Sequence, residues 1–508
     1  MKNVLEYLEA TARRMPEKTA VVEENASCTW RELEEGSRRV GSALLHKTRP
    51  GEPVAVLMEK SILTLTAFLG TVYAGGFYVP LDPSLPGSRL RQILSVLHPR
   101  CIVADAAHLS LAKKLAGSEL VLMAEKLVRT GENLAGLEAV QTVAIDTDPL
   151  YCNFTSGSTG VPKGVLVCHR SVIDFIDCFT GLFGISEDDV LDNQAPFDFD
   201  VSVKDIYSAL KTGATLVLIP RGLFSRPAEL LDYLCLHRVT NLTWAVSALC
   251  LVSTFHGLDY KTPDTVRRVL FSGEVMPLKH LKAWMEHLPE TTFVNLYGPT
   301  EITCNCTYHI IDRARDYSGG IPMGEPFPNE RVFLLDAEDK LVTEPDVEGE
   351  VCVAGSALAL GYFNAPEQTV KSFVANPLNR AYPQPIYRTG DLARWSASGE
   401  LFFAGRKDFQ IKYQGHRIEL EEIEKAISAV EGVERACCIF DEKKSRLYGF
   451  YVGSPDSAAL HTDLSRTLPS FMIPGSLEQL EAMPLTKNGK IDRKALALRK
   501  TRRRRART

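Results

Sequence analysis

Twelve cysteines are scattered through the 508-residue sequence without one CxxC pair or zinc-ligand spacing; Cys304/Cys306 and Cys437/Cys438 are the only close pairs. That excludes finger-type zinc sites and a disulfide framework. With no signal peptide, unpatterned thiols indicate a reducing, cytoplasmic setting in which most serve as small apolar side chains. No 20–50-residue period is present, so the chain is not a solenoid. Charge of one sign is not in excess. The net is −5, and Arg499, Lys500, Arg502, Arg503, Arg504, Arg505 and Arg507 add seven positive charges at the end, leaving about −12 for the body. An acidic body argues against nucleic acid as a partner. Long apolar runs are scarce. Residues 61–81 carry no charge and could span a membrane by length, but Gly75-Gly76, Pro80 and several threonines divide them into a helix, a turn and a strand.

With 45% hydrophobic and 24% charged residues, the composition is that of a soluble globular protein. The length exceeds what one core supports, so two or more domains are expected. One stretch stands out: Thr155-Ser156-Gly157-Ser158-Thr159-Gly160-Val161-Pro162-Lys163-Gly164. Glycines let backbone N–H groups approach an anion closely, and hydroxyls add rotatable donors, which suits phosphate oxygens. Leu150–Phe154 reads as a strand entering the loop and Val165–Val167 as one leaving it. A Walker loop needs Gly-Lys-Ser/Thr opening a helix, whereas Lys163 lies between Pro162 and Gly164. Composition alone leaves a Gly/Ser-rich linker equally open.

Strands and helices alternate through the first 300 residues. Helices are predicted at 4–13, from Thr29 (its N-cap) onward, and at 61–73, 170–183, 201–212, 227–237 and 277–287. Strands are predicted at 19–22, 53–58, 77–81, 101–104, 120–123, 215–219 and 269–271. Such alternation implies a parallel sheet covered on both faces. From about residue 317, Gly/Pro-punctuated strands such as Arg331–Leu335 and Gly349–Ala354 indicate a small β-rich subdomain. Beyond Asp408 the pattern becomes a small α+β module: strands at 411–413 and 416–418, a helix at 420–430, strands at 435–440 and 446–452, and a helix near 457–468. Seven basic residues in the last ten suit a solvated, disordered end.

Seven stretches in order resemble the motifs of amino-acid adenylation domains within the AMP-forming adenylating enzymes. They are Gly75–Pro86, the phosphate loop, Asn295–Glu301, Gly349–Tyr362, Tyr387–Leu392, Gly405–Glu422 and Asn488–Arg493. Phe199–Tyr207, Phe271–Val275 and Asp408–Lys412 look more like stand-alone D-alanine–carrier protein ligases than like long peptide-synthetase modules. The resemblance implies an α/β and α+β multidomain fold. Its parts are a core over 1–405, a hinge at 406–408 centred on Asp408, a mobile lid over 409–498 and a tail over 499–508. It also implies a cytoplasmic, monomeric, ATP- and Mg²⁺-dependent enzyme that activates an amino acid. No carrier-protein domain follows, so a phosphopantetheinylated carrier would come in trans. A D-alanyl carrier ligase for teichoic acids, an acyl- or aryl-CoA ligase and a catalytically silent scaffold are the alternatives.

The resemblance also assigns roles. Lys490 would bridge the substrate carboxylate and the phosphate, with Thr155 and Glu301 completing the catalytic set and Glu301 holding Mg²⁺. ATP would lie on Thr155, Ser156, Gly157, Ser158, Thr159, Gly160, Lys163, Gly273, Asn295, Gly298 and Thr300. Tyr297 would stack on adenine, Asp391 would take the ribose hydroxyls, and Arg406 would contact ribose or phosphate. Asp200 would pair with the substrate ammonium; Asp198, two residues earlier on the same face of a strand, is the decoy. Val201, Lys204, Thr243, Leu270, Ser272, Leu296, Cys304 and Asn305, with Lys490, would line the amino-acid pocket. Lys204 is the departure, because D-alanine ligases usually carry an apolar residue there and typically cysteine at Ser272. A pocket lysine is costly unless paired, which suggests a polar or acidic substrate; alternatively Lys204 reaches solvent or pairs with Asp205.

Overall fold

The computed structural model describes residues 1–157, 161–441, 444–486 and 491–505. They form two units. The first comprises Met1–Pro83, Leu97–Phe154 and Gly164–Lys407, and the second gathers Ser84–Val96, Thr155–Lys163 and the chain from Asp408 onward. The second unit thus takes in two segments that the motif order assigns to the core over 1–405.

Strand–helix alternation predicts one parallel sheet; the first unit builds two. In the nine-stranded sheet, Thr292–Tyr297, Arg268–Ser272, Asn241–Ala245, Val190–Asn193, Thr215–Leu218 and Thr19–Glu23 run side by side in parallel. Antiparallel strands close both edges: Ala26–Thr29 on one, Thr307–Ile310 and Glu325–Pro326 on the other. The seven-stranded sheet is ordered Gly361–Tyr362, Lys163–Cys168, Pro149–Thr155, Phe77–Leu81, Pro53–Leu57, Cys101–Ala104 and Val121–Met123. An apolar run shows that a strand is buried, not which sheet receives it. Val190–Asn193 and Asn241–Ala245 are invisible to apolar patterning because each carries Asn or Asp within its four or five residues.

One core joins the two sheets. It includes Val54 and Val56 from one, Leu216 and Leu218 from the other, and Phe175, Phe179, Ile206 and Leu210 from the helices His169–Phe183 and Val201–Thr212. The uncharged 61–81 stretch forms the helix Ile62–Tyr73 and the strand Phe77–Leu81, both buried. Among the described residues no helix is long and apolar enough to cross a membrane. Ile62–Tyr73 packs on Trp30–Leu44, whose N-terminus carries a capping box between Thr29 and Glu32. The two helices approach so closely that a Cβ on Gly70 would lie 2.5 Å from Val40. The β-rich part is a six-stranded sheet built on Glu330–Leu335, Glu348–Gly355, Pro385–Trp395 and Leu401–Arg406.

In the second unit the hairpin Gln410–Tyr413/His416–Glu419 leads into the helix Leu420–Ser428, followed by the paired strands Val433–Asp441 and Arg446–Gly453. Ile418, Ile423, Ile427, Cys438, Tyr451, Leu460 and Leu464 form its core. Arg89, on the helix Gly87–Leu97, makes a buried ion pair with Glu422, and Ser88 Oγ donates to the Arg466 carbonyl at 3.0 Å. The last helix runs Arg493–Arg505, through most of the stretch expected to be irregular. Arg, Lys, Ala and Leu are all strong helix formers, which charge composition alone does not weigh.

Candidate functional site

Residues proposed for ATP fall in both units. In the first unit, Asp391 lies on the long strand Pro385–Trp395, directly across from Arg406 on Leu401–Arg406. Arg406 Nη1 donates to Asp391 Oδ1 at 2.5 Å, and Tyr297 OH donates to Oδ2 at 2.5 Å. Burial, with this carboxylate beside it, pushes the Tyr297 hydroxyl well up, so it stays a donor. Asp391 itself is almost fully buried. An ionised carboxylate offers about four lone-pair sites; the two bonds leave capacity for the pair of ribose hydroxyls that the resemblance assigns to it. Arg406 is a partner of Asp391, fixed by strand register.

Tyr297 ends the strand Thr292–Tyr297, and Thr300 and Glu301 lie in the short 3₁₀ turn Thr300–Ile302 after it. Glu301 is fully buried, and Tyr362 OH donates to its Oε1 at 2.7 Å. Gly298 sits where a Cβ would meet Asn305 Cα at 2.4 Å, so the turn folds back onto 304–305. Asn295 Nδ2 is spent on the Pro322 carbonyl at 2.8 Å. Gly273, past the end of Arg268–Ser272, has φ +98° and open space around it, which suits the edge of a bound planar group.

In the second unit, Thr155 ends its strand with a buried Oγ1 that has no hydrogen-bond partner among the described residues. An orphaned buried hydroxyl is costly unless a ligand completes it, and a phosphate oxygen would. Ser156 Oγ donates to the Arg417 carbonyl at 2.7 Å, and the Gly157 N–H bonds Glu422. A Cβ on Gly157 would meet the Val161 carbonyl at 2.1 Å, so glycine is needed there. Lys163 opens the strand Lys163–Cys168, and Asp408 accepts from the Gln410 N–H at 3.2 Å. Ser158, Thr159, Gly160 and Lys490 lie outside the described residues.

The helix predicted at 201–212 is present as Val201–Thr212, but the strand expected to carry Asp198 and Asp200 is not: residues 197–200 form a turn. Asp198 and Asp200 therefore share no strand face. Aspartate before a helix usually caps it. Asp200 does not: it holds helical angles (φ −63°, ψ −21°) and its side chain makes no capping bond. Cys304 Sγ contacts its carbonyl at 3.1 Å. One turn on, Lys204 is 1% exposed and donates to Asn305 Oδ1 at 2.9 Å. It neither reaches solvent nor forms an ion pair with Asp205. Burial pushes its ammonium down in pKa against the pull of Cys304, Asp200 and Asp205. Thr243, Leu270, Ser272 and Leu296 are buried on three successive strands, with Thr243 opposite Leu270, and Val201 is the first residue of the helix.

Sequence reasoning passes over Lys60, Asp192 and Tyr362, and raises Asp205 only as a partner for Lys204. Asp205 accepts from Asn193 Nδ2 at 3.1 Å and from Thr243, and burial raises its carboxyl well above the usual range. Asp192 takes the Thr243 N–H and the Trp244 indole and is raised to about 7 by burial. Lys60 donates to the Asn193 and Gln194 carbonyls at 2.8 and 3.3 Å and is pushed down to about 7, also by burial. Tyr362, the partner of Glu301, closes the Gly349–Tyr362 motif and is the one with a sequence signal.

Residues 8–363 match the family described as AMP-binding enzyme, and residues 422–490 match the AMP-binding enzyme C-terminal domain. Bacitracin synthase 1 from Bacillus licheniformis is 33% identical over 97% of this chain, which spans 9% of that protein's length. Tyrocidine synthase 1 from Brevibacillus parabrevis is 32% identical, again over 97% of this chain, which here spans 45% of the relative. The chain thus covers less than half of either peptide synthase. Among solved structures, holo-PA1221, an NRPS protein containing adenylation and PCP domains, superposes with a TM-score of 0.83 at 25% identity, covering 98% of this chain and 84% of that one. The o-succinylbenzoate CoA synthetase MenE from Bacillus subtilis also superposes at 0.83, with 98% of each chain covered; at 20% identity it shows a common fold.

Proposed function

Because the chain belongs to the AMP-binding enzyme family, we propose that it activates an amino acid as its aminoacyl-adenylate and passes the acyl group to a phosphopantetheine thiol on a carrier protein. A carboxylate oxygen of the amino acid attacks the α-phosphorus of ATP, the bond to the β-phosphate breaks, and pyrophosphate leaves. The thiol sulfur then attacks the acyl carbon and AMP leaves. Catalysis of the first step is positioning and charge stabilisation. Asp391 orients the ribose, with Tyr297 and Arg406 holding its carboxylate in place. Thr155 offers its unpartnered hydroxyl to the phosphates. Lys490 would bridge the two reacting groups. Glu301, fixed by Tyr362, is the residue that would hold Mg²⁺. A bound Mg²⁺ would neutralise phosphate charge, and a cation shared with phosphates needs only one or two protein carboxylates.

The observation that carries the amino-acid reading is Asp200: an aspartate at a helix start, one turn before a buried lysine whose ammonium it attracts. A substrate α-ammonium would complement its charge; a plain carboxylic acid offers no cation at all. The peptide-synthase relatives and the solved protein with adenylation and PCP domains support a carrier-borne thiol as acceptor. The test is ATP–pyrophosphate exchange across amino acids of both enantiomers and their deaminated analogues. Exchange should require the α-amino group and be lost in Asp200→Ala; equal exchange with deaminated acids would contradict the reading and favour an acyl- or aryl-CoA ligase.

A further inference from the structure

Lys204 is the feature that adenylate chemistry leaves unexplained. An ammonium has three donors and carries a full charge. This one is 1% exposed, and among the described residues it makes a single bond, to Asn305 Oδ1, and no ion pair. Two donors and the charge are left over, in a place where both are costly. The surroundings repeat the pattern. Asn305 is 2% exposed; its Oδ1 is taken by the lysine, and its Nδ2 donates to nothing among the described residues. Ser272, 5% exposed at the end of its strand, has no hydrogen-bond partner for its hydroxyl among them either. The pocket therefore holds spare donors on Lys204 and Asn305, a Ser272 hydroxyl that can donate or accept, and no carboxylate paired with the cation. What is missing is an anion.

Asp205 is the obvious internal candidate and is otherwise engaged. Its carboxyl accepts from Asn193 and Thr243, and burial together with Asp192 holds it toward the neutral form. Asp200 is one helical turn from Lys204, and residues four apart lie on one helix face. The same face therefore presents a carboxylate and an ammonium in succession. Resting on the amino-acid reading, we infer that the substrate carries a carboxylate in its side chain: its α-ammonium meets Asp200, and its side-chain carboxylate meets Lys204, with Asn305 Nδ2 as second donor. An aspartate- or glutamate-like substrate supplies acceptors for the lysine and the amide together, whereas alanine leaves the buried ammonium without a counter-charge.

The test is ATP–pyrophosphate exchange with both enantiomers of glutamate, aspartate, glutamine, asparagine, alanine and serine, on the wild type, Lys204→Met and Lys204→Gln. An acidic amino acid should lead in the wild type. Either substitution should lower its kcat/KM by on the order of 10²-fold, as expected when one partner of a buried charge pair is removed, while exchange with the matching amide or alanine holds or rises. That crossing of preferences is what a merely structural lysine would not produce. A neutral amino acid, D-alanine included, that leads in the wild type and is unchanged in Lys204→Met overturns the inference while leaving amino-acid activation standing. Equal loss for every amino acid in both variants overturns it as well. Exchange that ignores the α-amino group overturns the amino-acid reading and this inference with it.

Discussion

The nucleotide side and the amino-acid side of the first unit solve the problem of burying charge in opposite ways. Around the site proposed for ATP, each buried carboxylate already has protein partners: Asp391 has Tyr297 and Arg406, and Glu301 has Tyr362. In the pocket, Lys204 has one neutral partner for three donors and makes no ion pair among the described residues. A nucleotide presents the same groups whatever acid is activated, so a rigid, self-satisfied frame suits it. A side-chain pocket is built for one ligand, and unfilled capacity there is what selects it.

The largest expected effect tests the satisfied side. Asp391→Ala leaves a guanidinium and a phenol facing each other without their acceptor. Breaking a buried pair by removing one partner costs about 3–5 kcal/mol, so urea unfolding should move by that amount, and adenylate formation should fall by on the order of 10³-fold. Tyr297→Phe should cost about 1 kcal/mol and leave exchange with most amino acids in the same rank order. If Asp391→Ala unfolds like the wild type, the frame is not pre-organised as described. Next comes Glu301→Gln, which keeps an acceptor for Tyr362 while removing charge. Stability should hold within about 1 kcal/mol, and exchange should drop by on the order of 10²-fold, partly recovered by raising Mg²⁺.

How far the sequence can be read follows the same division. Tyr297, Asp391 and Glu301 stand in contiguous strings whose chemistry is local, and the strings carry their proposed roles. That Arg406 binds Asp391 is not legible there, because the pairing depends on the register of Pro385–Trp395 with Leu401–Arg406, more than ten residues apart. A strand over Asp198 and Asp200 would run into the helix predicted from residue 201, and the chain makes a turn there instead. Lys60 and Asp192 escape notice because each looks ordinary alone, and Asp205 stands out only as a possible partner of Lys204. Only folding brings Asn193 within reach of both Lys60 and Asp205. The second sheet is hidden for a similar reason, since period and composition show burial but not the neighbour.

A smaller effect lies away from both sites and calibrates the comparison. His169 is buried, accepts from the Val4 N–H through Nδ1 at 3.4 Å, and is pushed down from 6.5 to about 4 by burial. Its folded pKa lies below its unfolded one, so between those values the unfolded chain binds the proton and the native chain does not. Stability is full above pH 6.5 and falls as pH drops toward 4. From about pH 7 to about pH 5 this group should remove about 2 kcal/mol, read as the difference between the wild type and His169→Gln in urea unfolding at the two pH values. Identical pH dependence in the variant would mean the histidine is not buried neutral.

The central claim is that Lys204 is kept for its ligand at the expense of the fold. Urea unfolding of ligand-free Lys204→Met measures this directly. Replacing an uncompensated buried charge with an apolar side chain of similar volume should leave stability unchanged or raise it by up to about 3 kcal/mol, opposite in sign to Asp391→Ala. A loss of several kcal/mol would show that the lysine holds the pocket together, and that the contrast between the two sides does not exist.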